Sequence, residues 1–231
     1  MNRVNGRFLK QFSDLSSFPM PRLEQLAANL SVRSLKKNEI VFDQDEEAKL
    51  VYILLSGVVR LSYFNSHDGQ TVVSLLPAGE FLGLDSLTPK TRQPFRCEAY
   101  ENCSVGALNP KTFIEILLGV SYDSFLQWYN VAMHPGRKMY IHCIKGVGLD
   151  LRRRLALELL NLADRFGKSD ARGVVIDLSI SHEVLAGIVG ASRQQVTEYL
   201  NEFDREKIIS REGRRIIIKT EELRTVLEIK P

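Results

Sequence analysis

At 231 residues the chain is long enough for two domains, and 44% hydrophobic with 26% charged residues is an ordinary soluble composition. No stretch approaches the ~18 apolar residues of a membrane span. The net charge is only +3, and residues 150–231 carry 15 Lys and Arg against 14 Asp and Glu. Any nucleic-acid binding must therefore come from where charge is placed, and non-specific affinity should be modest and salt-sensitive.

The N-terminal residues MNRVNGRF lack the apolar core of a signal peptide. Cys97, Cys103 and Cys143 are odd in number and have no paired zinc or haem-attachment spacing, which suits a reduced, cytoplasmic protein. Residues 8–30 predict a helical lead-in, with Phe8, Leu9, Phe12, Leu23, Leu26, Ala27 and Leu30 at three- and four-residue spacing. Short β-rich runs follow at 40–42, 51–55, 58–64, 71–76 and 103–108, punctuated by glycine and proline turns. Such runs predict a sandwich or barrel, with residues 65–70 as a hairpin loop.

Helical signals return at 111–118 and over 122–147, whose apolar face (Phe125, Trp128, Tyr129, Met133, Met139, Tyr140, Cys143, Ile144, Val147) suits packing against the barrel and against a partner helix. Pro135-Gly136 should break or kink that helix, because proline lacks the backbone donor and clashes with the preceding turn. Gly146 and Gly148 mark a hinge before an amphipathic helix over 151–166, starting at Asp150.

Residues 180–209, ISHEVLAGIVGASRQQVTEYLNEFDREKII, carry the most information. Ser181 is a good N-cap for a helix burying Leu185, Ile188 and Val189, and Gly190 stands at a tight turn. Ser192 to Gln195 fits a capping box opening a second helix, with Val196, Leu200 and Phe203 inward. Arg193, Gln194, Thr197, Glu198 and Asn201 then face outward. A basic turn around Gly213 enters a β-branched run, so Arg211, Arg214 and Arg215 are expected at the tip of a wing, reaching phosphates. Helix pair and basic hairpin together predict a winged helix-turn-helix.

The order and spacing of VYILLSGVVRLSYFNSHDGQTVVSLLPAGEFLG (51–83), LDLRRRLALELLNLADRFG (149–167) and LAGIVGASRQQVTEYLNEFDREKIIS (185–210) resemble the CRP/FNR superfamily of bacterial transcription regulators. The resemblance implies an α+β chain: a jelly-roll, cyclic-nucleotide-binding-like domain over 1–120, a dimerisation helix and hinge over 121–148, and a winged helix-turn-helix domain over 149–231. It also implies a homodimer reading a palindrome, with RNA polymerase as an expected partner. Arg193 matches the family's guanine-reading arginine, Ser192 and Thr197 suit phosphate contacts, and Gln194 and Glu198 replace a glutamate and an arginine of the cyclic-AMP receptor protein.

The effector positions depart from the family pattern. Gly83-Leu84-Asp85 stands where Gly-Glu-Leu is expected, and Gln93-Pro94 where an Arg-Ser pair would hold the cyclic phosphate. Arg92 and Arg96 flank this site, and a slip of loop length would bring either into it. Met139 and Tyr140 fall where polar adenine contacts are expected. Cyclic AMP is therefore not an expected cofactor, and no other is assigned. The alternatives are a nucleotide-responsive regulator with a variant pocket and a ligand sensor with weakened DNA binding.

Three scattered cysteines cannot hold an iron–sulfur cluster, and His67, His134, His142 and Cys97 lie in no haem or metal motif. A cupin-type enzyme would need several histidines in the barrel, where only His67 lies, so catalysis is not expected.

Overall fold

The computed structural model describes residues 4–65, 69–133, 144, 146–213 and 215–228. Eight strands lie in the N-terminal half: β1 (Ser31–Leu35), β2 (Ile40–Phe42), β3 (Val51–Ser56), β4 (Val58–Phe64), β5 (Gln70–Pro77), β6 (Phe81–Leu82), β7 (Arg96–Ala99) and β8 (Cys103–Leu108). They form two four-stranded sheets ordered β1-β8-β3-β6 and β2-β7-β4-β5. Strands that alternate between two sheets in this order make a jelly roll.

The central strand β3 shows how the sequence builds layers. Its residues VYILL are apolar without alternation, as expected of a strand covered on both faces. Val51, Ile53 and Leu55 join one core with Phe81, Phe113 and Trp128, while Leu54 joins Leu35, Val59, Leu76, Cys97 and Val105 between the sheets. Helices α1 (Gly6–Leu9), α2 (Met20–Asn29), α3 (Pro110–Leu118) and α4 (Tyr122–Ala132) cover the outer face of that strand. At the β3–β4 turn Gly57 adopts φ +79°, and a Cβ there would sit 2.6 Å from the Asn102 carbonyl oxygen. Only glycine fits that corner.

The lead-in is not one helix. A 3₁₀ turn at Ser13–Leu15 separates α1 from α2, and α2 starts after Pro19 with Pro21 in its first turn. Strands β1, β6 and β7 lie outside the predicted runs. β1 is exposed except at Leu35, and β6 is two residues long, so neither shows alternation. Within the predicted segment 122–147, α4 ends at Ala132, and Pro135 and Gly136 lie outside the described residues.

The chain divides into two compact units, one of residues 1–69 and 74–139 and the other of 70–73 and 140–231. The second holds α5 (Leu151–Phe166), β9 (Gly167–Asp170), β10 (Gly173–Ile176), α6 (His182–Val189), α7 (Arg193–Arg205), β11 (Ile209–Glu212), β12 (Arg215–Ile218) and α8 (Thr220–Leu227). Its sheet runs β11-β12-β10-β9, and Ile216, Ile217 and Ile218 of β12 are all buried. The β9–β10 hairpin and α8 lie outside the sequence prediction; GKSD in β9 is polar and exposed, held by its register with β10 and by the Lys168–Asp177 and Arg172–Asp170 ion pairs. No described helix is long and apolar enough to cross a membrane.

Candidate nucleic-acid interface and ligand pocket

The α6–α7 pair is set by backbone chemistry at three points. The Ser181 hydroxyl accepts from the Val184 N–H at 3.2 Å and caps α6. Gly190, at φ +66°, ends α6 in the left-handed conformation that glycine adopts without strain. Ser192 then caps α7: its Oγ accepts from the Gln195 N–H at 3.2 Å, and Gln195 Oε1 accepts from the Ser192 N–H at 3.1 Å. The predicted capping box is complete.

Val196, Leu200 and Phe203 of α7 are fully buried. In α6 the buried side chains are Val184, Leu185, Ala186 and Val189. Ile188, expected inside, is half-buried.

Two arginines of α5 brace this pair. Arg152 donates to Glu202 at 2.9 Å and to Glu206 at 2.6 Å, and its guanidinium lies 5.1 Å from the Phe203 ring centroid. Arg154 donates to the Val189 carbonyl at 3.1 Å and the Leu149 carbonyl at 3.0 Å. The first of those acceptors is an orphan carbonyl in the last turn of α6.

Arg193, Gln194 and Glu198 are exposed on the opposite side of α7. Gln194 Nε2 donates to Glu198 Oε1 at 3.0 Å, so the two readers expected to act separately form one amide–carboxylate pair. Arg193 makes no side-chain hydrogen bond or ion pair among the described residues. Thr197 is half-buried, with its hydroxyl donating to the Arg193 carbonyl at 2.8 Å and lying 2.7 Å from His182 Nδ1. Ser192 spends its hydroxyl on the cap. Neither hydroxyl is free for a phosphate, as was expected of both.

The wing departs most from expectation. β11 and β12 form the hairpin, turning at Gly213 with φ +60°. Arg211 does not extend from its tip. It folds onto α7, donating to Asp204 at 2.9 Å and to Asn201, which is exposed as expected, at 2.9 Å. Arg215 pairs with Asp177 at 2.9 Å, and Arg172 bridges Asp170 and Glu212. Carboxylates from neighbouring elements thus neutralise arginines that the sequence assigned to phosphates. Arg214 lies outside the described residues.

In the β unit a half-enclosed cavity of about 170 Å³ contains the expected effector positions Gly83, Leu84, Asp85, Gln93 and Pro94. Its other walls are Phe42, Leu61, Leu76, Phe81, Leu82 and Phe95. Gly83, at φ +66°, turns the chain into a 3₁₀ helix at Leu84–Leu87. The flanking arginines are engaged elsewhere. Arg92 donates to the Asp45 carbonyl, and Arg96 makes a bidentate pair with Asp43 at 2.7 and 2.9 Å while lying 4.4 Å from the Phe64 ring centroid. That pairing holds the Asp43 carboxyl below its ordinary range. The anticipated slip of either arginine into the cavity is not observed, because each already has an acceptor. Met139 and Tyr140 lie outside the described residues, as do His67, His134, His142 and Cys143. Cys97 is wholly buried between the sheets, and burial raises its thiol well above the ordinary value; Cys103 is pushed up to about 11 by the same cause. Neutral thiols packed among aliphatic side chains are poor metal ligands.

Residues 32–119 match the Cyclic nucleotide-binding domain family and residues 153–225 the Crp-like helix-turn-helix domain family. The chain belongs to the CRP/FNR superfamily. The global nitrogen regulator of Nostoc sp. is 28% identical over 200 residues, spanning 81% of this chain and 84% of that protein. The cAMP-activated global transcriptional regulator CRP of Salmonella typhimurium is 24% identical over 206 residues, spanning 86% and 94%. The solved structure of FixK2 from Bradyrhizobium japonicum shares the fold, with a TM-score of 0.74 at 20% identity over 87% of this chain and 98% of that one. With its Crp-like helix-turn-helix domain, the chain is a transcription regulator that binds DNA.

His182 is the residue of this interface that sequence reasoning passed over. It opens α6 beside the Ser181 cap and touches Thr197 on α7, so it joins the two helices. Burial, followed by the positive charges of Arg211 and Arg193, lowers its pKa below the ordinary value. The signal was a histidine directly after an N-cap, one helix before an arginine-bearing start. The folded state therefore favours neutral His182, and this contribution to stability is present above pH 6.5 and lost as pH falls through the depressed pKa. Thermal melts between pH 7.5 and 5.5 should show a smaller loss for His182→Gln than for wild type. Equal slopes would mean that the imidazole is not coupled to folding.

Proposed function

We propose that the protein is a cytoplasmic, homodimeric transcription regulator that binds a palindromic operator through α7 and works without cyclic AMP. It acts by binding and not by catalysis, and RNA polymerase is its expected downstream partner. Its organisation is a sensor domain over 1–120, a dimerisation helix and hinge over 121–148, and a DNA-binding domain over 149–231. The observation that carries the reading is the exposed start of α7, where Arg193 has no ion-pair partner among the described residues, on an N-capped helix whose back is buried. An α-helix presented this way fits a major groove, and a guanidinium there can make a bidentate contact to guanine O6 and N7.

Dimerisation is supported by an apolar stripe along α3 and α4. Ile114, Leu118, Tyr122, Leu126 and Tyr129 are exposed, Leu118 at 79% and Tyr122 at 74%. Large apolar side chains in such a row suit a symmetric partner face. Independence from cyclic AMP is supported by the engagement of Arg92 and Arg96 outside the cavity and by Pro94, which has no N–H for a phosphate.

Selection from random duplexes by the purified full-length protein tests the reading. A palindrome with half-site centres ~34–36 Å apart, enriched equally with and without cyclic AMP, is expected. No enrichment, or enrichment only with cyclic AMP, would overturn it. Glu198→Ala should alter base preference at one position per half-site; unchanged preference would remove Glu198 and its Gln194 partner from readout.

The neutralised wing makes a separate prediction. Asp204→Asn removes the one carboxylate paired with Arg211 and leaves that guanidinium, still hydrogen-bonded to Asn201, available to a phosphate. Binding should tighten, and the salt dependence of log K should steepen by about 0.9 per half-site. An unchanged slope would show that Arg211 stays on α7 when DNA binds.

A further inference from the structure

The hydroxyl that His182 touches fixes which ring nitrogen carries its proton. Thr197 Oγ1 donates its one hydrogen to the Arg193 carbonyl at 2.8 Å. It therefore accepts at its other contact, from His182 Nδ1 at 2.7 Å, because two acceptors that close would repel. With the hydrogen on Nδ1, the neutral imidazole keeps its lone pair on Nε2. A proton taken up there leaves the Nδ1–H donating to Thr197 and adds a full positive charge at the α6–α7 joint.

The half-buried ring stands among cations, with no anion committed to it. Arg193 of α7 and Arg211 of β11 act on it and, with burial, oppose its protonation. Neighbouring carboxylates are engaged elsewhere. Asp204 of α7 pairs with Arg211, Glu198 of α7 accepts from Gln194, and Asp177, ahead of α6, pairs with Lys168 and Arg215. Glu183, next to it on α6, is exposed and forms no ion pair with it among the described residues. Arg154 of α5 reaches α6 at its other end, on the Val189 carbonyl. A DNA backbone brings the missing anions, roughly one negative charge per 1.7 Å of duplex. Phosphates near Arg193 offset the field that opposes the imidazolium and favour it by their own charge.

We propose that operator binding takes up a proton at His182 in each half-site, so that protons and DNA bind this face cooperatively. The proposal rests on reading α7 as the groove-facing helix, and it makes acidity a determinant of operator occupancy. The sign follows from linkage. Free His182 titrates below its ordinary value of 6.5, and DNA moves it upward. Affinity should therefore rise as pH falls through the range between the free and the bound values. Each pKa unit of upward movement is worth about tenfold in Kd per half-site.

The full-length protein is titrated with its selected operator at constant salt between about pH 8 and 5.5, read by fluorescence anisotropy. Calorimetry near pH 6.5 in two buffers of different ionisation enthalpy counts the protons taken up. Wild type should tighten by about tenfold or more across the range and take up protons, up to about one per half-site. His182→Asn and His182→Gln keep an amide donor for Thr197 without a titrating group, and both should lose the tightening and the uptake. Either folded variant suffices. Wild-type affinity that does not change with pH, proton release on binding, or equal tightening in a folded variant would overturn the proposal alone. Absence of operator binding at every pH would overturn the reading of α7 together with it.

Discussion

Arg193→Ala is expected to cost about 1–3 kcal/mol of operator binding at each half-site while leaving the melting temperature nearly unchanged. Arg193 is exposed and makes no ion pair among the described residues, so its removal leaves no buried charge without a counter-ion. The helix beneath it also stays capped, because the box uses Ser192 and Gln195. Surface changes of this kind shift stability by no more than about 0.5 kcal/mol. Arg193→Lys separates two roles. A lysine preserves charge but not the planar fork, so a phosphate contact survives it and a bidentate guanine contact does not. Selection with the Lys variant should lose preference at one base while keeping much of the non-specific affinity. Wild-type affinity for the selected operator in Arg193→Ala would show that α7 does not read through this residue.

Phe203→Ala is expected to destabilise the DNA-binding unit by about 3–5 kcal/mol. Its ring is fully buried under α7 and carries the Arg152 guanidinium on one side. Truncation therefore leaves a cavity and loosens the clamp that Arg152 makes to Glu202 and Glu206. Against a typical total of about 5–15 kcal/mol, that loss is large. Trp128, the single tryptophan, lies in the helix-covered core of the β unit, so its fluorescence follows that unit while far-ultraviolet circular dichroism follows helices in both. Urea titration of the variant should show an early helical transition and a later tryptophan transition. A loss below about 1 kcal/mol by either probe would mean that Phe203 is not a keystone of α7.

What the sequence disclosed depended on range. The α6–α7 pair was legible because its determinants are local: Ser181, Gly190 and the Ser192–Gln195 box lie within a few residues of the groups they satisfy. Strands β3, β4 and β8 were legible because their apolar content is dense. By contrast, β1 and β7 exist through pairing with distant strands, and polar β9 through a hairpin with β10, and all three carry little pattern of their own. The candidate sites follow the same rule. The positions lining the cavity were found from local order, but the partners that define their chemistry lie far off in sequence. Arg96 finds Asp43 across 53 residues, and Arg215 finds Asp177. Counting basic residues in the wing identified the cations and not the carboxylates that hold them. In the sequence Gln93 stands in for an arginine; that its oxygen is buried without a partner among the described residues is a property of the assembled sheets.

The two carbonyls held by Arg154 have a mechanical consequence. One belongs to the last residue of α6 and the other to Leu149, just ahead of α5, so a single rigid guanidinium ties the start of the domain to the rear of the helix pair. Displacing the 146–150 segment by more than a few tenths of an ångström must either drag the end of α6 with it or strip a partner from a backbone carbonyl. Within this unit the position of Leu149 and the end of α6, next to the turn before Arg193, are thus fixed by one side chain.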